Sequence, residues 1–165
     1  MADETAGATP DVAATLSAMT LEEKAALLAG RDAWSLEGVE RLGVPSITVA
    51  DGPYGLRKER RSADVTLVDT VPATCFPTSS ALAATWNPAL VEEVGAAIGR
   101  EARAEGVSVV LGPGANVKRT PLGGRSFEYF SEDPLLSGRL AAAWIRGVQG
   151  TGVGASLKHL AANNQ

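Results

Sequence analysis

Asp51 directly follows the run Ser46-Ile47-Thr48-Val49-Ala50, and Lys158 and His159 directly follow the run Val153-Gly154-Ala155-Ser156-Leu157. Between them lies Gly123-Gly124-Arg125-Ser126-Phe127-Glu128, where paired glycines let the backbone approach a ligand and Arg125 offers a bidentate fork to neighbouring oxygens. Hydroxyl pairs of a sugar, carboxylates and phosphates all suit that fork. A carboxylate acceptor, cationic donors and an imidazole on one rim favour a small polyhydroxylated ligand over a hydrophobic one. Each residue also has a plainer use. Asp51 before Gly52-Pro53 equally suits a turn former bonded to its own backbone, and His159 alone equally suits a satisfied core histidine.

The elements that must position these groups alternate. The apolar runs at 46–50, 80–86, 107–111 and 153–157 read as buried strands, and each of them ends on polar or turn-forming residues. Asn87-Pro88 and Asp133-Pro134 are N-caps with proline at the first helical position. The stripes Leu90, Val91, Val94, Ile98, Ala102 and Leu136, Leu140, Trp144, Val148 recur at helical spacing, so helices run from 88 to Gly106 and from 134 to Gly150. Trp144 is thereby a core residue rather than a stacking platform. Residues 12–19 read as a short amphipathic helix, and Thr20-Leu21-Glu22-Glu23 is a capping box that opens a helix over 21–29. Residues 58–77 read as a surface excursion and 115–133 as a long loop. Successive right-handed β-loop-α units build a parallel sheet with its ligand chemistry beyond the strands' C-terminal ends. The fold class is therefore α/β, either an open sheet or the first part of a barrel, since a closed eight-stranded barrel takes about 250 residues.

Composition narrows the function classes. The 165 residues carry a net charge of −4, with 45% hydrophobic and 21% charged side chains, which is the balance of a globular domain and gives no reason to expect nucleic acid. Arg57-Lys58-Glu59-Arg60-Arg61 is most simply a solvated loop. A single cysteine, Cys75, and a single histidine leave neither an internal disulfide nor a zinc constellation, so no metal and no cofactor are expected. Residues 1–11 read as a loose leader without the basic and apolar parts of a secretory signal, and no apolar run approaches the ~20 residues of a membrane span. A cytoplasmic protein is the default expectation, with a removed signal left open. Gly112-Pro113-Gly114 after a strand lacks the third glycine of a dinucleotide fingerprint.

Several motifs, in order, resemble glycoside hydrolase family 3, the β-glucosidase family: Met-Thr-Leu-Glu-Glu-Lys at 19–24, Arg-Leu-Gly-Val-Pro-Ser at 41–46, Asp-Gly-Pro at 51–53, Ala-Leu-Ala-Ala-Thr-Trp at 81–86, Pro-Leu-Gly-Gly-Arg-Ser-Phe-Glu at 121–128, Ser-Glu-Asp-Pro at 131–134, and Lys158-His159. The resemblance implies that residues 12–165 form part of a TIM-like (β/α)8 barrel domain, incomplete in this chain. It also implies exo-acting, retaining hydrolysis of terminal β-D-glucosyl residues. Asp51 resembles the carboxylate that binds hydroxyls of the terminal sugar, Arg125 the arginine of the Gly-Gly-Arg motif, and Lys158 and His159 the paired sugar-hydroxyl donors. Leu160-Ala161-Ala162 after that pair disfavours the branch that acts on N-acetylhexosaminides, and Asn163-Asn164-Gln165 resembles the β-glucosidase branch. Retaining hydrolysis needs two carboxyl groups about 5–5.5 Å apart. The family's nucleophile and acid/base lie downstream of the Lys-His pair, so no catalytic residue is expected here and the remainder of a parent enzyme, with its second half-barrel and α/β sandwich domain, is the implied partner. The alternative reading is a non-catalytic sugar-binding module that reuses a half barrel.

Overall fold

The structure, a computed structural model, describes residues 11–60 and 69–163. The leader over 1–10, Arg61 of the basic cluster, the middle of the 58–77 excursion, and Asn164 and Gln165 lie outside the described residues. The chain divides into two units, one up to Ile47 and one from Thr48 onward.

In the first unit, α1 (Val12–Ala18) starts where the Asp11 carboxylate accepts from the N–H of Ala14 at 3.0 Å. The capping box opens α2 (Leu21–Ala26): the Thr20 hydroxyl accepts from the N–H of Glu23 at 3.2 Å, and the Glu23 carboxylate accepts from the N–H of Thr20 at 2.8 Å. That helix is shorter than the 21–29 expected. Leu28 and Ala29 bond back to Ala25 and Ala26, the tighter i→i+3 pattern with which a last turn unwinds. Arg41 places its fork on Glu23, at 2.7 and 2.5 Å, and on the carbonyl of Ala18 at 2.9 Å. The unit also holds β1 (Ser35–Leu36), and Gly43, at φ +69°, closes a one-turn 3-10 helix over Glu40–Leu42.

The second unit carries the parallel sheet. β2 (Ile47–Asp51) runs beside β3 (Val109–Leu111), in the register Val49 with Val109 and Asp51 with Leu111, and β3 runs beside β4 (Gly154–Ala155), Val110 with Ala155. β4 lies at the edge of the sheet. The strand expected over 153–157 shrinks to two residues: beyond Ala155 the N–H of Ser156 still bonds the carbonyl of Val110 at 3.0 Å, and Lys158 forms an isolated parallel bridge with Gly114.

The expected strand over 80–86 is a correction: α3 spans Ser79–Ala84. Thr78 caps it by accepting from the N–H of Ala81 at 3.3 Å, and its alanines and leucine are strong helix formers. Pro77 stands just before the cap, where it ends a loop without interrupting a helix. The Thr78 cap decides between helix and strand for this short apolar run.

α4 (Pro88–Ala104) and α5 (Pro134–Gln149) begin at the expected caps, with Asn87 accepting from Leu90 at 3.2 Å and Asp133 from Leu136 at 2.7 Å. Val91, Ile98, Ala102, Val110, Leu140, Trp144 and Val148 have no exposed surface, so the two stripes meet over the middle strand. Leu90 departs from its stripe and is partly exposed. The helices cross closely at glycines: a Cβ on Gly147 would stand 2.7 Å from the N of Ala96, closer than atoms approach. Trp144 reaches from this seam to the end of β3, where a Cβ on Gly112 would stand 3.3 Å from its ring. Its buried indole N–H has no hydrogen-bond partner among the described residues. Packing thus outweighs a polar cost of about 1–3 kcal/mol.

Candidate functional site

The parallel strands fix where the polar groups go. Asp51 is the last residue of β2, level with Leu111. Beyond β4 the chain turns along the segment after β3: the N–H of Lys158 donates to Pro113 at 3.0 Å and its carbonyl accepts from Ala115 at 2.9 Å. Lys158 is thus held by its backbone rather than left on a loose tail. Its ammonium lies 2.7 Å from Oδ1 of Asp51, a contact spanning 107 positions of sequence. At 17% exposure for the lysine side chain and 29% for the aspartate, this pair is sheltered on the rim without being sealed off.

A second carboxylate completes the arrangement. Glu128 ends a one-turn 3-10 helix over Ser126–Glu128, is only 3% exposed, accepts from Nε of Arg125, and lies 3.8 Å from Nζ of Lys158. A buried carboxylate needs such partners, since unpaired it would lose several kcal/mol of solvation. Arg57 approaches the other side of Asp51 at 3.9 Å. The rim is consequently a belt in which Arg57, Asp51, Lys158, Glu128 and Arg125 alternate in sign. The hydrogen bond that Arg125 donates to Glu128 holds its guanidinium above its ordinary range. Tyr54 is pushed up by burial and then by the negative charges of Glu128 and Asp51.

His159 stands apart from the ion pairs. Its Nδ1 is 3.0 Å from the hydroxyl of Tyr129, which also accepts from Nδ2 of Asn163 at 3.0 Å. Asn116 grips its main chain twice, accepting from its N–H at 2.7 Å and donating to its carbonyl at 3.0 Å. Burial lowers the imidazole pKa, and the positive charge of Arg125 lowers it further. Lys118 is held in the same neighbourhood, where it donates to the hydroxyl of Ser80, and burial lowers its ammonium below the ordinary range. Ser80 in turn donates to the carbonyl of Tyr129 at 3.4 Å.

The structure therefore brings Asp51 and Lys158 into direct contact and links Arg125 to them through Glu128, whereas His159 joins by sequence adjacency and a separate hydrogen-bond group. Asp51 is an ion-pairing rim residue rather than only a turn former, although its carbonyl does accept from the N–H of Arg57 at 2.8 Å. Tyr129 and Asn116 are not singled out by sequence, Glu128 enters only as part of its motif, and Arg57 only as part of a basic cluster read as a solvated loop. Glu128 alone carried a signal, as an acid amid the aromatics Phe127, Tyr129 and Phe130. Among the described residues, no group of three or more His, Cys, Asp or Glu side chains forms a candidate metal site, and no helix is long and apolar enough to cross a membrane.

Residues 37–165 match the family described as glycosyl hydrolase family 3 N terminal domain. Over 156 residues the chain is 60% identical to thermostable beta-glucosidase B of Acetivibrio thermocellus, a match that covers 94% of this chain and 21% of that protein. It is 56% identical to the exo-alpha-(1->6)-L-arabinopyranosidase of Bifidobacterium longum over 89% of this chain and 20% of that one. The structure superposes on beta-glucosidase 3B from Thermotoga neapolitana, solved in complex with alpha-D-glucose, with a TM-score of 0.86 at 43% identity, covering 94% of this chain and 24% of the other. The chain thus spans about a fifth of the length of these curated relatives.

Proposed function

The chain belongs to glycosyl hydrolase family 3, and from that premise we propose that it is the N-terminal part of a retaining, exo-acting β-glycosidase. It supplies the face that holds the terminal sugar. The nucleophile and the acid/base come from the length of the relatives that it does not span. The observation that carries this reading is the 2.7 Å pairing of Asp51 with Lys158 at the end of the parallel sheet, backed by buried Glu128. A sugar hydroxyl both donates and accepts, so a carboxylate and an ammonium held side by side can bond one hydroxyl each of a neighbouring pair. Lys158, His159 and Arg125 donate in this scheme, and Asp51 accepts.

A β-D-glucoside is the substrate that fits the relatives named beta-glucosidase and the glucose in the Thermotoga structure. The 56% identity to an arabinopyranosidase favours a second reading, a terminal arabinopyranoside. Arabinopyranose lacks the exocyclic hydroxymethyl group of glucose, so aryl glycosides of the two sugars separate the readings by their kcat/KM ratio.

The experiment that tests the common part is Asp51→Asn in the protein that carries this segment. A lost charge-assisted hydrogen bond is worth about 1.5–3 kcal/mol. At about 1.4 kcal/mol per decade, kcat/KM should fall by at least ~10-fold while Tm changes little. Retained activity in a protein that melts early would make Asp51 a structural residue. The 165-residue chain alone should turn over no aryl β-glucoside, because hydroxyl binding without a nucleophile leaves the oxocarbenium-like transition state unsupported.

A further inference from the structure

We infer that Tyr129 is a positioning residue that sets the proton on His159: its phenol donates to Nδ1, leaving Nε2–H as the donor of a neutral ring. The inference rests on reading His159 as a donor to sugar hydroxyls, and it names the device that makes the ring a donor at a defined atom.

A tyrosine hydroxyl has one hydrogen to give and can accept as well. The oxygen of Tyr129 receives a hydrogen from Nδ2 of Asn163 at 3.0 Å, and its other neighbour is Nδ1 of His159 at 3.0 Å. Were Nδ1 to carry the proton, the phenol oxygen would accept from both sides. Its own hydrogen would then have no acceptor among the described residues. Tyr129 is 1% exposed, so that hydrogen would be orphaned away from water. With Nδ1 as acceptor, all three groups are satisfied at once, and the proton of the neutral imidazole resides on Nε2.

The remaining contacts fix both rings. Tyr129 meets His159 edge to face, with ring centres 5.9 Å apart and planes at 67°. Gly114 lets it lie close, since a Cβ there would stand 3.0 Å from Cδ1 of the tyrosine. The backbone of His159 is held at both its N–H and its carbonyl by Asn116. Neither ring needs to reorient for Nε2 to serve as donor.

His159 is the chain's single histidine, so histidine-selective 15N labelling of the 165-residue protein gives one pair of ring nitrogens with no assignment step. At a pH where the ring is neutral, the expected result is an unprotonated shift at Nδ1 and a protonated shift at Nε2. In Tyr129→Phe the two shifts should move toward each other as both tautomers become populated, and glucose affinity should drop about 3- to 10-fold. A proton on Nδ1 in the unmodified chain, or fully averaged shifts there, would overturn the inference, and that measurement decides even if the variant fails to fold. Glucose titrated into the same sample separates the two layers. The expected tautomer with no response to glucose would keep Tyr129's role and remove the sugar-binding assignment. A response to glucose from a ring protonated at Nδ1 would do the reverse.

Discussion

Two ion pairs of similar length sit at opposite places in the same unit. Arg146 bonds Glu92 at 2.9 Å across the outer faces of α4 and α5, with both side chains more than 40% exposed. Lys158 bonds Asp51 at 2.7 Å on the rim, with exposures of 17% and 29%. The first joins helices that already meet through Gly147, Leu140 and Trp144, and an exposed pair of that kind contributes about 0–1 kcal/mol. The second joins segments 107 positions apart. Charge is an accessory to packing on the outside of the unit and the organising interaction on its rim. On the proposed function, stability and ligand chemistry therefore fall to different layers.

Four tests, one of them a matched pair of substitutions, press on that division. Trp144→Ala should be the most destabilising, by about 3–5 kcal/mol, because it empties the seam under β3; chemical denaturation measures it, and a smaller loss would mean that the helices hold by other contacts. Glu128→Gln straddles the two layers, since it keeps the buried shape but removes the charge shared by Arg125 and Lys158. About 1–3 kcal/mol of stability should be lost together with glucose affinity. A loss in only one of the two would place Glu128 wholly in one layer.

Lys158→Met and Arg146→Met form a matched pair. The first should weaken binding of a glucose-like inhibitor by at least ~10-fold with Tm nearly unchanged. The second should alter neither by a measurable amount. Equal effects on inhibitor affinity would erase the distinction between rim and outer face.

The smallest effect is one of pH. Burial and the charge of Arg125 depress the folded pKa of His159 below the ordinary value of about 6.5. The unfolded chain therefore binds the proton first as the pH falls, and stability is lost from that ordinary value down through the depressed one. Above it, the histidine adds no pH dependence. Melting curves of the unmodified chain and of His159→Gln should diverge only in that acidic window. Parallel curves would mean that the ring titrates alike folded and unfolded.

What the sequence reveals follows from how far apart the interacting partners lie. α4 and α5 are legible because cap, proline and stripe all fall within one helix, and the same is true of the Thr20–Glu23 box. Asp51, Arg125, Lys158 and His159 are visible as polar residues at strand ends or beside glycines. Their pairing is not, because Asp51 finds Lys158 across the sheet and Glu128 finds it from a separate loop. Tyr129 and Asn116 are invisible for the same reason: each acts on His159 from at least 30 positions away. The 80–86 run misleads because a short apolar stretch carries no period, and there only the Thr78 cap separates helix from strand.

The belt from Arg57 to Arg125 has a thermodynamic corollary. Asp51, Lys158, Glu128 and Arg125 hold one another, so the fold itself restricts their rotamers. Immobilising a long side chain at an interface costs about 0.5–1.5 kcal/mol. Here that ordering is met when the chain folds. On the proposed function Asp51 and Lys158 keep each other and each adds a bond to one hydroxyl of a sugar, so no mobile arm has to be frozen. Selectivity then comes from geometry: only a hydroxyl pair spaced to match the carboxylate and the ammonium reaches both at once.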